Sequence, residues 1–297
     1  MLLLVISILI NSSFFKFEDD GKKEKRTFHY AFFLPESDFS FFTEIKSGAL
    51  KAAETMDCAI SFHPVDTESL KSAPFIGVDG IGIYPTEKSE EMTDYLLQMA
   101  EAGIPVIQIE NEVLRDESTF YIGTNNFETG KAIGKLAAGV EFKELYIAVI
   151  YSEKNPGLLA DRNLVEMGIR SQLGGRTVHL QNEKTSLNPL DAERVIYRLM
   201  NQQKQLDIVV LTDPSDTLVS TQAIIDMNRV GNVYVVGFGD DRRIIDYIEK
   251  DIIIGTIFRN PERIGFNAVM TLTELNTKGY TSAYVDTGIN TIPGVER

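Results

Sequence analysis

Short runs of β-branched and aromatic residues alternate with longer amphipathic stretches along nearly the whole chain. This rhythm limits the fold more than any other feature. The short runs are YAFFL (30–34), CAISFHPV (58–65), DGIGIYP (79–85), PVIQIE (105–110), TFYIG (119–123), LYIAVIY (145–151), RTVHL (176–180), LDIVVLT (206–212), VYVVGF (233–238) and IIIGTIF (252–258). Helical spacing fills the intervals at 41–56, 89–103, 126–139, 191–203 and 260–275. Near-continuous apolar strands separated by helices are what parallel sheets covered on both faces require. The fold class is therefore α/β and doubly wound. A closed barrel fits less well, because the strands fall into two groups, before and after about Thr124. Punctuation agrees: Gly103 ahead of Ile104 and Pro105 ends a helix and opens a strand, and Pro261 stands in the first turn of the last long helix.

Composition removes several function classes. The formal charge is −14, from 29 basic and 43 acidic residues, and this disfavours a nucleic-acid partner, which normally meets a basic face. Cys58 is the only cysteine, so no intramolecular disulfide and no thiolate zinc site is expected. His29, His63 and His179 lack the spacing of a zincin helix. No metal site is expected, and no cofactor. A complete G-x-G-x-x-G, a P-loop and a G-x-S-x-G elbow are all missing from the sequence, so the chain reads as a non-enzyme.

The N-terminus begins with a ten-residue run, MLLLVISILI, apolar except for Ser7, and continues through NSSFFKF into the mixed-charge stretch EDDGKKEKR. Ten residues match a signal-peptide core and fall short of the ~20 that span a bilayer. No Lys or Arg precedes the run. Two readings stand: a start-truncated signal, or the outer half of an uncleaved membrane anchor. Residues 1–27 are accordingly read as signal or anchor plus linker. With Cys58 as the only cysteine, no lipid-attachment cysteine follows the run. An extracytoplasmic location is expected, with anchoring by this segment.

Four blocks, in order, carry a resemblance. They are SDFSFFTEIKSGALKAAE (37–54), AEAGIPVIQIEN (100–111), YIGTNNFETGKAIG (121–134) and VVGFGDDRRIIDYIEKDIIIGTIFRNPERIG (235–265). The chain resembles the type I periplasmic sugar-binding proteins, the ribose-, galactose- and xylose-binding group, from about Phe28 to Ile292. The resemblance implies two doubly wound parallel-sheet lobes joined by three hinge crossovers near Asn125, near Arg259–Asn260 and near Tyr284–Asp286. The N-terminal lobe would then comprise 28–125 plus 260–284, and the C-terminal lobe 126–259 plus 285–297. In the interval 65–80 only a stub remains where the family has its second helix.

The same resemblance supplies candidate ligand contacts, and the chemistry of a sugar explains their types. Aromatic rings suit its C–H faces, while carboxylates, amides and Arg suit its hydroxyl rim. After the first strand stand Glu36, Asp38, Phe41 and Phe42, with one of the two Phe rings open to a role in the core. Glu110 and Asn111 replace the family's common Asp-Arg pair. Arg162 occupies the region of a sugar-donating arginine, with slipped spacing. Asp213 and Asp216 flank the position of a family Asn/Asp, one to accept from ligand and the other to cap the helix expected near Thr217. Phe238 and Asp240 belong to a G-F-D turn in which Gly239 takes the Asp place. Arg259 stands where ribose-type relatives have Gln, able to donate to a sugar or to close an inter-lobe ion pair.

The resemblance implies a protein that closes on a small neutral monosaccharide and presents the closed form to a membrane partner. One partner is a sensor histidine kinase, as in the membrane-anchored xylose-sensing subgroup; the alternative is the permease of a sugar ABC transporter. A repressor of the same architecture would need a basic DNA-binding segment where this chain has its apolar run.

Overall fold

The computed structural model of the chain describes residues 27–36, 40–202 and 205–294. Strand β1 (His29–Leu34) leads into helix α1 (Ser40–Met56), strand β2 (Ala59–Pro64), the short helix α2 (Thr67–Ser72) and a single 3-10 turn at Ala73–Phe75. Strand β3 (Gly80–Ile83), helix α3 (Glu90–Glu101), strand β4 (Val106–Ile109) and strand β5 (Thr119–Gly123) follow. These strands, together with β11 (Tyr284–Asp286), make one parallel sheet in the order β11-β5-β4-β3-β1-β2. The whole interval 65–80 supplies only α2 and that turn, so the stub expected there is what forms.

The second lobe repeats the plan. Helix α4 (Asn126–Ala138) precedes strand β6 (Glu144–Ser152), helices α5 (Pro156–Ala160) and α6 (Arg162–Gln172), and strand β7 (Thr177–Thr185). Then come α7 (Asp191–Gln202), β8 (Ile208–Leu211), α8 (Pro214–Asp226), β9 (Tyr234–Phe238), α9 (Arg242–Glu249) and β10 (Gly255–Phe258). Helix α10 (Pro261–Lys278) returns to the first lobe, and strand β12 (Asn290–Pro293) closes the second sheet in the order β12-β10-β9-β8-β6-β7, antiparallel only at β12.

The chain thus passes between lobes three times. The first passage follows β5 at residues 124–125 and the second lies at 259–260. The third comes after Asp286: Val285 and Asp286, expected in the second lobe, pair with Ile122 and Gly123 in the first sheet. Three residues without apolar periodicity join that sheet by backbone pairing, with Tyr284 stacked on Tyr121 at 4.8 Å between centroids and Val285 packed against the first-lobe core.

Each lobe is held by one helix pair brought unusually close. At the α1–α10 contact a Cβ on Gly48 would strike the carbonyl of Glu262, and one on Gly265 that of Ile45. At the α4–α6 contact Gly130 and Gly168 stand in the same relation to Val165 and Phe127. Around the first pair lie Phe42, Ile45, Ala49, Ile264, Ala268 and Leu272, all buried. The core around the second is built from Ile133, Ala137, Val165 and Ile169 against the β6 and β8 side chains.

Candidate functional site

Both sheets reverse their winding once, between β1 and β3 in the first lobe and between β6 and β8 in the second. Open α/β sheets bind ligands beyond the carboxyl ends of their strands at such points. The residues that follow β3 and β6 are Tyr84 and, two past the strand end, Lys154. Together they face a cavity of about 230 Å³ that spans the two lobes.

From the first lobe come Ser40, Phe41, Phe42 and Tyr84. The three rings are set edge to face, with Phe42 and Tyr84 centroids 5.0 Å apart and Phe41 and Phe42 5.3 Å apart. Burial pushes the Tyr84 phenol up to about 12, Glu110 adding to the effect and Arg259 opposing it, so the ring presents a neutral hydroxyl.

From the second lobe come Lys154, Asp213, Pro214, Ser215, Phe238 and Asp241. The Lys154 side chain is 6% exposed; its Nζ lies 2.5 Å from Asp216 Oδ1, 3.0 Å from Ser215 Oγ and 3.7 Å from Asp213 Oδ1. Thr185 donates to the other oxygen of Asp216. Asp213 caps α8, accepting from the Asp216 amide at 3.0 Å, so the helix begins at Pro214, three residues before the expected start. Asp216 is buried and committed to Lys154 and Thr185, while Asp213 reaches the cavity wall.

Arg259 lies in the second crossover and joins the halves. Its Nη1 donates to Glu110 Oε2 at 3.0 Å, and Thr124 of the first crossover donates to Oε1 at 2.9 Å. The guanidinium carbon sits 4.2 Å from the Phe41 ring centroid and 5.4 Å from that of Phe238, a planar cation between two faces. Arg259 Nε is buried and unpartnered. Glu110 adopts a left-handed backbone, φ 60°, which turns its side chain back toward the crossovers.

The structure therefore gathers Phe41, Phe42, Asp213, Phe238 and Arg259 around one cavity, with Glu110 and Asp216 as buried counter-charges behind the wall. Asn111 is also buried, but its amide donates to the Pro85 carbonyl and holds the strand-end turn. Glu36, Arg162 and Asp240 are exposed and do not line the cavity. In the last case the neighbouring Asp241, which caps α9, takes the lining position. Asp38 lies outside the described residues. Lys154 and Tyr84 were missed from sequence; their places immediately beyond two strand ends at the winding reversals were the available signal.

Lys154 and Arg259 oppose Glu110, Asp213 and Asp216, and Arg243 at the cavity edge pairs with Asp241 at 3.0 Å, so the three cations of the lining are already matched by carboxylates of the protein. The arrangement suits a neutral ligand with hydroxyl groups, since rings and fixed donors and acceptors remain and no unmatched cation does. A larger groove of about 530 Å³ lies at the far end of the second lobe, beside Leu136, Tyr234 and Ile254, where strands begin. It touches one lobe only. Among the described residues no three potential metal-ligating side chains converge, and no helix is long and apolar enough to cross a membrane. The apolar N-terminal run lies outside the described residues.

Residues 30–279 match the periplasmic binding protein domain family, and the chain belongs to that family. Solved structures share the fold along most of their length. A glucose-galactose binding protein, GanP from Geobacillus stearothermophilus, superposes with a TM-score of 0.79 at 20% identity, over 91% of this chain and 98% of that one. The XylFII–LytSN complex gives 0.74 at 19% identity over 92% and 100%. AraP, an arabinose binding protein from Geobacillus stearothermophilus, gives 0.74 at 18% over 90% and 97%. A search of the curated proteins returns no match.

Proposed function

We propose that this chain is an extracytoplasmic binding protein that closes its lobes on a small neutral monosaccharide, a pentose or hexose. The observation that carries the reading is the inter-lobe cavity, in which an aromatic wall faces acceptors and donors whose charges the protein has already balanced. Sugar-binding relatives among the structural neighbours support the ligand class. Ligand bound to both lobes favours the closed form, and a partner that reads closure receives the signal; the shift is limited by the ligand's preference for that state.

For the partner we favour a membrane histidine kinase. The apolar N-terminal run without a lipid-attachment cysteine suits a protein retained at the membrane, and the likeness to XylFII in its complex with LytSN adds support. Delivery to a permease is the second reading, favoured by the likeness to a sugar ABC transporter's sugar-binding protein from Bacillus halodurans. A thermal-shift panel of neutral pentoses and hexoses tests the ligand, and no response to any of them would overturn it. The mass and membrane association of the exported protein test the partner. Retention of the apolar run in the membrane fraction supports the sensor, and a freely soluble cleaved product supports transport.

A further inference from the structure

We propose that Arg259 is the cleft's built-in occupant, a clasp that holds the two lobes together before any ligand arrives. A ligand in a two-lobed binder stabilises closure by touching both lobes at once. Here one side chain of the protein does that. The guanidinium lies between Phe41, carried by α1 of the first lobe, and Phe238, at the end of β9 in the second. Its charge is balanced by Glu110 at the end of β4, and Glu110 is fixed in turn by Thr124 of the first crossover. A planar, weakly hydrated cation fills the space between two ring faces much as a flat polar ligand would. The ligand cavity of about 230 Å³ is the space left beside the Arg259 side chain.

The clasp regulates the inter-lobe site, and it rests on the sugar reading only where a sugar is involved. Apparent affinity falls by the fraction of molecules in the competent state. A clasp that keeps the empty protein closed removes this loss and, for the same reason, leaves a ligand less closure to add. Ligand affinity and the size of the ligand-driven motion are then set in opposite directions by one residue.

The test is inter-lobe energy transfer in the full-length chain, with Cys58→Ser and dyes on Leu50→Cys in α1 and Leu187→Cys after β7, both exposed positions. Transfer is read with and without each monosaccharide of the panel. Arg259→Met keeps the bulk of the stem, and Phe41→Leu removes one ring face while sparing the ion pair, so the proposal does not hang on one variant folding. Expected are lower transfer in both sugar-free variants than in the parent, recovery on adding sugar, and sugar affinity weakened by roughly tenfold, as for a competent state populated about one time in ten. Equal sugar-free transfer in the parent and both variants overturns the clasp, and it does so whether or not sugar binds. Lower transfer in the variants, with no melting shift of the parent on adding any sugar, keeps the clasp and overturns the sugar reading instead.

Discussion

Arg259 and Glu110 stand 149 positions apart in the chain and 3.0 Å apart in the fold, with side chains 10% and 5% exposed. The pair ties the second crossover to the end of β4. Two buried charges are tolerable here because each satisfies the other and further partners finish the job: Thr124 for the carboxylate, two ring faces for the guanidinium.

Removing one partner should therefore cost far more than removing both. Glu110→Gln is expected to destabilise the protein by roughly 3 kcal/mol in urea denaturation, the usual scale for an uncompensated buried charge. The double variant Glu110→Gln/Arg259→Met should recover most of that loss. Additive single effects in the double-mutant cycle would contradict the coupling.

The second lobe contains a comparable dependence. Among the described residues Lys154 is the only cation bonded to Asp216, and it stands beside Asp213. Lys154→Met leaves two neighbouring carboxylates facing each other at the head of α8, and a loss of roughly 3 kcal/mol is expected. Restoring Lys154→Arg should recover part of it. A Lys154→Met protein as stable as the parent would show that the cluster is solvated in solution.

A neutral monosaccharide at 100 times its dissociation constant should add about 2.7 kcal/mol of stability. Melting shifts of several degrees follow for a chain of this size. Sugar phosphates should give none, because Lys154, Arg243 and Arg259 are already paired with carboxylates and a phosphate would meet Asp213. Calorimetry on both ligand sets checks the contrast; binding of the phosphate alone would reverse it.

At the cleft mouth Glu44 of α1 lies near Asp240 of the other lobe and near Glu262; burial first, then these two charges, raise its pKa above the usual carboxylate range. A carboxyl with a raised folded-state pKa favours the protonated form, so its contribution to stability is present at acid pH and is lost as pH rises through the raised value. Glu44→Gln is expected to stabilise by roughly 0.5 kcal/mol or less at pH 7, the scale of exposed charge contacts. The gain should shrink to nothing toward pH 4. Melting temperatures of the two proteins across that range decide it.

Gly265→Ala places a methyl group against the Ile45 carbonyl, where α10 crosses α1. Helices that cannot separate without unpacking the first lobe should lose roughly 1–3 kcal/mol. Gly174→Ala, at a site with open space around it, is the control and should be nearly neutral. Equal effects at the two positions would mean that the helix pair can yield.

The inner strands of the first lobe are legible because both their faces are buried: TFYIG at 119–123 forms β5 with the same limits, whereas the half-exposed edge strand β11 carries no such run. RTVHL was read short, since β7 continues through the polar residues QNEKT to Thr185. An edge strand needs its backbone bonds to β6 and no buried face, so hydropathy does not mark its end. The ring pair Phe41–Phe42 and the hinge arginine were legible through the family resemblance. Lys154 was not, because a lysine after a strand reads as solvated until Asp213, Asp216 and Ser215 arrive from about 60 residues further along. Arg162 shows the reverse: its helix turns the side chain outward, and spacing alone could not reveal which face α6 would bury.

The return of α10 to the first lobe also fixes an order of events at the ribosome. The seam of α1 at Ile45, Gly48 and Ala49 meets α10 only after residue 261 emerges, more than 200 residues later. At 5–20 residues per second that interval lasts roughly 10–40 s. Throughout it the nascent chain leaves that seam of α1 uncovered. Such a polypeptide is well matched to a route that accepts unfolded chains, and a holdase that binds Phe42–Ala52 during synthesis would spare it from aggregation.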